Sequence, residues 1–185
     1  MESEKLIKER KVAINLSTAN AFAIILLFIS GILAFIPFYL INGLPPVNDA
    51  FGVFCSVTFF ALFFIGIIIH EGIHGLTWGL LNKGGFKSIS FGIIWKMLTP
   101  YCHCSEPMSR TSYFLGAIMP CIVLGILPTI VSWFTGSWLT FVLGVIFIAS
   151  AAGDIWMVWL LMKEPKEALF LDDDKEAAFW VIEKQ

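Results

Sequence analysis

Residues 50–69, AFGVFCSVTFFALFFIGIII, carry no charged side chain and run directly into His70-Glu71-Gly72-Ile73-His74. The run has the length of a membrane-spanning helix, and the five residues after it put three ionisable side chains on its continuation. Two histidines four apart on a helix project from one face with side chains about 5–6 Å apart, close enough for both imidazoles to reach one metal ion. Glu71 is turned by about 100° from His70 around the helix. It would stand beside such a metal, placed to take a proton from an attacking water without being a ligand. Five-residue patterns with three fixed letters arise by chance in soluble helices, but the setting here opposes coincidence. A charged Asp, Lys or Arg at the centre of a span costs about 2.5–3.5 kcal/mol, and intramembrane ionisable residues are functional candidates.

The composition agrees. Of the 185 residues, 58% are hydrophobic and only 14% charged, against about 25% charged in soluble domains. A span takes about 20 residues, so residues 1–185 have room for one integral membrane domain of roughly four helices. Four apolar runs qualify: about Ala19–Ile41, Phe51–Leu81, Tyr113–Phe134 and Trp138–Met162. The net charge of -2 is uninformative, but all 12 Lys and Arg fall in the N-terminal segment, the connector Asn82–Ser112 or the tail 163–185. By the positive-inside rule those three segments, and so both termini, are expected in the cytoplasm. The connectors Asn42–Ala50 and Thr135-Gly136-Ser137 then face outward. The first apolar run is too long for a signal-peptide core, so Lys5, Lys8, Arg10 and Lys11 are expected to precede a retained span. Cys55, Cys102, Cys104 and Cys121 show no disulfide framework.

Residues sharing one metal must lie at one depth. Asp154, the only ionisable residue of the last run, is eight residues before Met162; His74 is seven before Leu81, and His70 one turn deeper. At a rise of 1.5 Å per residue all three sit about 10–16 Å inside the cytoplasmic boundary. A dication, the carboxylates of Glu71 and Asp154 and two neutral imidazoles sum to zero charge. The bland alternative for Asp154 is a lone carboxylate bonded to Ser150 or to backbone; the two histidines favour a third metal ligand.

The second run, some 46 Å if wholly helical, exceeds the ~30 Å hydrocarbon core and must tilt, bend or emerge. Gly72, Gly75 and Gly79 on its lower half would let a neighbouring helix approach. Gly116, Pro120, Gly125 and Pro128 predict a kinked third helix against the site. Between these runs, Ile89, Phe91, Ile93 and Trp95 alternate with smaller residues, and Thr99–Cys104 can return as a second strand. This predicts a β-hairpin over about 86–104 at the membrane face. It is either an edge that pairs with an extended substrate or an interfacial loop held by Trp95 and Tyr101. Cys102-His103-Cys104 is a poor second metal site, since consecutive strand residues point apart and no fourth ligand is evident. Asp172-Asp173-Asp174-Lys175-Glu176 before Ala177–Ile182 reads as a short helix with an acidic first turn. There is no internal repeat, phosphate-binding glycine loop or nucleic-acid-type basic patch.

The combination of His70-Glu71-x-x-His74 on one span, a full span between and Asp154 on the next resembles the site-2 protease group of intramembrane metalloproteases. It is most similar to short bacterial membrane proteins described as zincin peptidases. The resemblance covers roughly Phe51–Met162, and its specific part is the His-Glu motif. It implies one zinc held by His70, His74 and Asp154, Glu71 as catalytic base, and a membrane-inserted β region at about Phe86–Cys104. One departure stands out: the family's aspartate usually precedes a glycine, whereas Asp154 follows Gly153 and precedes Ile155.

The expected fold is therefore an all-α polytopic membrane protein of about four transmembrane helices, with a small β-hairpin between the second and third. The expected function is intramembrane zinc proteolysis of a transmembrane or membrane-associated polypeptide, in a bacterial cell membrane by the resemblance. A divalent-metal transporter is the rival from another class, opposed by the single ligand cluster and the absence of paired halves. A zinc-binding pseudoprotease or membrane adaptor is opposed by the intact Glu71.

Overall fold

The computed structural model describes residues 7–94, 99–174 and 176–183, so Lys5, Trp95 and Lys175 lie outside the described residues. In chain order come β1 (Ile7–Ala13), α1 (Leu16–Asn42), α2 (Val47–Cys55) and α3 (Val57–Leu81). Then follow a short 3-10 turn (Gly85–Ser88), β2 (Ile89–Ile94), β3 (Thr99–Cys104), β4 (Met108–Ser109) and α4 (Arg110–Pro120). A π-helical segment (Cys121–Ile126) leads to α5 (Leu127–Thr135), α6 (Trp138–Ser150), α7 (Ala152–Leu161), β5 (Leu169–Asp172) and β6 (Ala178–Glu183). Among the described residues three helices are long and apolar enough to cross a membrane: Ser17–Asn42, Val57–Leu81 and Arg110–Thr135. The pair α6 and α7, bent by 41° at Ala151, adds a fourth if the two are counted as one span.

Local chemistry explains the breaks. Asn15 caps α1 by accepting from the Ser17 and Thr18 amides, satisfying donors that the first turn leaves open. The second apolar run is divided: Ser56 ends α2 and caps α3, its hydroxyl accepting from the Phe59 amide. The surplus length thus leaves as a separate helix, and α3 alone is about 37 Å long at 1.5 Å per residue. In the third run the π-helical segment begins directly after Pro120, where the regular hydrogen-bond ladder loses a donor. Gly136, at φ 66°, supplies the left-handed turn that brings α6 back beside α5.

Two apolar clusters hold the helices. One joins α1, α3 and α6 through Ala34, Phe38, Phe59, Phe141, Val142 and Val145, with Phe38 and Trp138 packed on the Phe141 ring at 5.0 and 4.9 Å. The other lies at the opposite end, where Trp78, Tyr113, Met157 and Leu161 from three helices meet Phe170, Phe179 and Val181 from strands.

The hairpin is present: β2 and β3 pair antiparallel from Ile89↔Cys104 to Ile94↔Thr99. It docks on α3 in the place expected for a helix, since a Cβ at Gly75 would overlap the Phe91 ring and one at Gly79 the Phe86 ring. Gly72 takes no part; a Cβ there meets nothing within 4 Å.

The all-α expectation and the helix over the tail both need correction. β1, β6, β5 and β4 form a four-stranded antiparallel sheet in that order. Ala178–Glu183 is one of its two inner strands, paired with β1 from Ile7↔Glu183 to Ala13↔Ala178 and with β5 from Leu169↔Ile182 to Asp172↔Phe179. Phe179, Trp180, Val181 and Ile182 are strong strand formers once both edges have partners. The three basic segments each contribute to this sheet, β1 from the first, β4 from the second, β5 and β6 from the third, so they lie on one side of the helices. Ion pairs fasten it: Arg10 to Glu164, and Lys11 to Asp173 and Glu176 at 2.9 Å each. The bonds to Glu176 and Asp173 raise the pKa of the Lys11 ammonium.

Replacing Gly75 by Val should dislodge Phe91 and lower stability by about 1–3 kcal/mol, as overpacking does. Gly72→Ala, entering open space on the same helix, should be neutral or slightly stabilising. Thermal unfolding of the two variants in detergent, side by side, measures the difference.

Candidate metal centre

α3 supplies His70, Glu71 and His74, and its packing against α4 and the hairpin buries both histidines. Asp154 comes from the first turn of α7. The break at Ala151 is what makes this position a helix start, where backbone N–H groups favour a carboxylate. The Asp154 carboxylate reaches both rings: Oδ2 lies 3.1 Å from His70 Nε2, and Oδ1 lies 3.5 Å from His74 Nε2. The ligand atoms of the three residues lie within 4.8 Å of one another, and the imidazole centroids are 4.9 Å apart. Asp154 is therefore no lone carboxylate bonded to Ser150, whose hydroxyl instead donates to the Phe147 carbonyl.

The orientation of His74 is set by α4. Its Nδ1–H donates to the Gly116 carbonyl at 2.8 Å, which leaves the Nε2 lone pair directed towards Asp154. That carbonyl is available for a reason written into the chain. Pro120, four residues on, has no N–H to bond it. Gly116 also lets α3 come close, since a Cβ there would overlap the Trp78 indole. Trp78 in turn stacks on His74 at 5.3 Å and packs against Tyr113 at 5.7 Å. Two imidazoles, one locked by a carbonyl, and a carboxylate are donors suited to zinc.

The three residues open on a cavity of about 310 Å³, which Glu71 also lines. Glu71 stands beside the backbone N–H of Cys102, so β3 passes directly over the carboxylate. Another wall is made by Asp172 at the end of β5 and by the connector to β6, including Asp173, Asp174 and Glu176. Asp172 is held from two sides: His103 Nδ1 lies 3.1 Å from one carboxylate oxygen, and the Tyr113 hydroxyl donates to the other at 3.2 Å. His103 is thus engaged with a carboxylate rather than sharing an ion with its neighbours. Cys104 is buried against Asn82 and Ser88, burial pushes the Cys102 thiol pKa well up, and all four cysteines are free.

The sequence places Gly116 and Pro120 on a kinked helix against the site but does not give their roles towards His74, and Trp78 and the Asp172 network do not emerge from it. For the first two a signal existed, a glycine four residues before a proline in a helix facing the candidate ligands. A family model described as "Putative zincin peptidase" matches residues 63–169, more than half of the chain, and spans His70, Glu71, His74, Gly116 and Asp154. No curated protein and no solved structure is a match for the chain.

Pro120→Ala restores a helical donor to compete for the Gly116 carbonyl and should weaken zinc binding about 10–100-fold, the usual cost of losing an outer-shell partner. His74→Ala should remove tight binding altogether; a chelator competition titration of the purified proteins separates the two, and equal zinc in wild type and His74→Ala would discredit the centre. The bond to Asp172 raises the His103 pKa. Its contribution is therefore complete below the ordinary imidazole value of about 6.5 and is lost as pH rises through the raised value. Amide protection of β3, corrected for intrinsic exchange, should fall over that alkaline range in the wild type and show no such step in His103→Gln.

Proposed function

The chain belongs to this zincin peptidase family, and from that premise we propose that it is an integral membrane zinc peptidase that cleaves a transmembrane or membrane-associated polypeptide. The observation that carries the reading is the meeting of His70, His74 and Asp154 with Glu71 along one cavity between apolar helices and the strands. His70, His74 and Asp154 would hold the ion and leave a coordination position open. Zinc bound there supplies Lewis acidity, lowering the pKa of a water towards neutrality and polarising a carbonyl. Glu71 takes the proton from the water that attacks the scissile carbonyl and delivers it to the departing amine. Its place beside β3 suits this role, because an extended substrate segment running past the hairpin brings its carbonyl to the same carboxylate. A peptide bond inside a helix is shielded, so the substrate must reach the cavity unwound.

The sheet that joins the three basic segments supports a topology with both termini and the site's mouth on the cytoplasmic side of the bilayer. Substrate then approaches laterally from lipid. Two carboxylates balance the dication while the imidazoles stay neutral, a cluster that a low-dielectric interior can hold.

Glu71→Gln should lower cleavage of a membrane-tethered reporter by at least about a hundredfold, the scale of a lost general base, while zinc content stays at the wild-type level. Reporter cleavage and metal analysis on one preparation give both values. Unchanged cleavage would remove Glu71 from the mechanism.

A further inference from the structure

One wall of the cavity is formed by Ser150 at the end of α6 and by Gly153, Asp154 and Met157 of α7. Gly153, Asp154 and Met157 share one face of α7, and Ser150 stands just before the bend at Ala151. Three of them carry side chains into the wall; Gly153 leaves a gap, and a Cβ built there meets no atom within 4 Å. That separates it from the packing glycines of this protein. At Gly66, Gly75 and Gly116 a Cβ would strike the ring of Phe147, Phe91 or Trp78. No turn requires Gly153 either, since its φ is not among the positive ones. A helical glycine without a packing or conformational reason costs about 1 kcal/mol relative to alanine. Gly72 is equally open but does not line the cavity. Gly153 is where open space and the cavity coincide, one residue from Asp154.

We propose that Gly153 is a specificity-determining residue: the gap over it receives the side chain next to the scissile bond, and the missing Cβ admits a large apolar one. This rests on the reading of His70, His74 and Asp154 as the metal site. A carbonyl under attack must lie at the ion, so the side chain one bond removed from it falls along the wall immediately beside Asp154. Met157 on the same face supplies apolar surface beside the gap, while the carboxylates of Asp172 to Asp174 and Glu176 line a separate part of the cavity. A hydrophobic wall of this kind discriminates by size, each added or missing methylene changing affinity by about tenfold or more.

The test uses the full chain in detergent, loaded with cobalt, whose visible spectrum reports both metal uptake and ligand binding without any need for turnover. Three probes carry the same chelating head with a growing tail: acetohydroxamate, 4-methylpentanohydroxamate and 3-phenylpropanohydroxamate. Wild type should bind the two larger probes at least about tenfold more tightly than acetohydroxamate. Gly153→Leu should abolish that gain and leave acetohydroxamate binding near the wild-type value, with Gly153→Ala, the gentler change, intermediate. Gly72→Leu should keep the wild-type ladder. A flat ladder in wild type, or an unchanged ladder in both Gly153 variants, overturns the size gap while leaving the metal centre standing. Failure of wild type to take up cobalt overturns the metal reading itself, and this inference with it.

Discussion

One carboxylate shared by two imidazoles holds the functional half of this protein together. Asp154 reaches His70 through one oxygen and His74 through the other, and so ties α7 to α3 across a wall of apolar side chains. Buried charges of this kind are costly unless every member has a partner, and removing one partner leaves the others uncompensated. The surrounding architecture keeps that meeting point in register. The bend at Ala151 turns α7 so that Asp154 lies at a helix start, and the bundle of α1, α3 and α6 fixes the other ends of the same helices.

Around that point the backbone does much of the positioning. Pro120 withholds a donor from Gly116, the freed carbonyl bonds His74, and the absence of a Gly116 side chain allows the Trp78 indole to lie against α4 while stacking on the same imidazole. A single four-residue spacing on α4 thereby serves both hydrogen bonding and packing. The hairpin obeys the same economy: Gly75 and Gly79 make the sockets for Phe91 and Phe86, which seats β3 over Glu71. His103 then fastens β3 to β5 through Asp172, and Tyr113 fastens α4 to the same carboxylate.

The four-stranded sheet extends this logic beyond the helices. Because β1 and β6 pair along most of their lengths, the two ends of the chain brace each other, and the connector they leave between β5 and β6 becomes one wall of the cavity. Access to the site is thus bounded by helices on one side and by strands on the other.

The sequence by itself determined what one-dimensional patterns encode. Apolar run lengths marked the helical stretches, a two-residue alternation marked the hairpin, and the spacing of His70, Glu71 and His74 with the lone Asp154 singled out a set of which His70, His74 and Asp154 come together as a group that could hold a metal ion. These follow from periodicity and from the cost of charge in an apolar setting, both local properties. Only the tertiary structure decided the rest. The tail's Ala178–Glu183 became a strand because β1, more than 160 residues earlier in the chain, covers one of its edges and β5 the other; no local pattern reports a distant partner. Gly75 and Gly79 face a hairpin and not a helix, and the Gly116 carbonyl meets His74, for the same reason: which surface fills a gap or accepts a hydrogen bond is settled by three-dimensional packing.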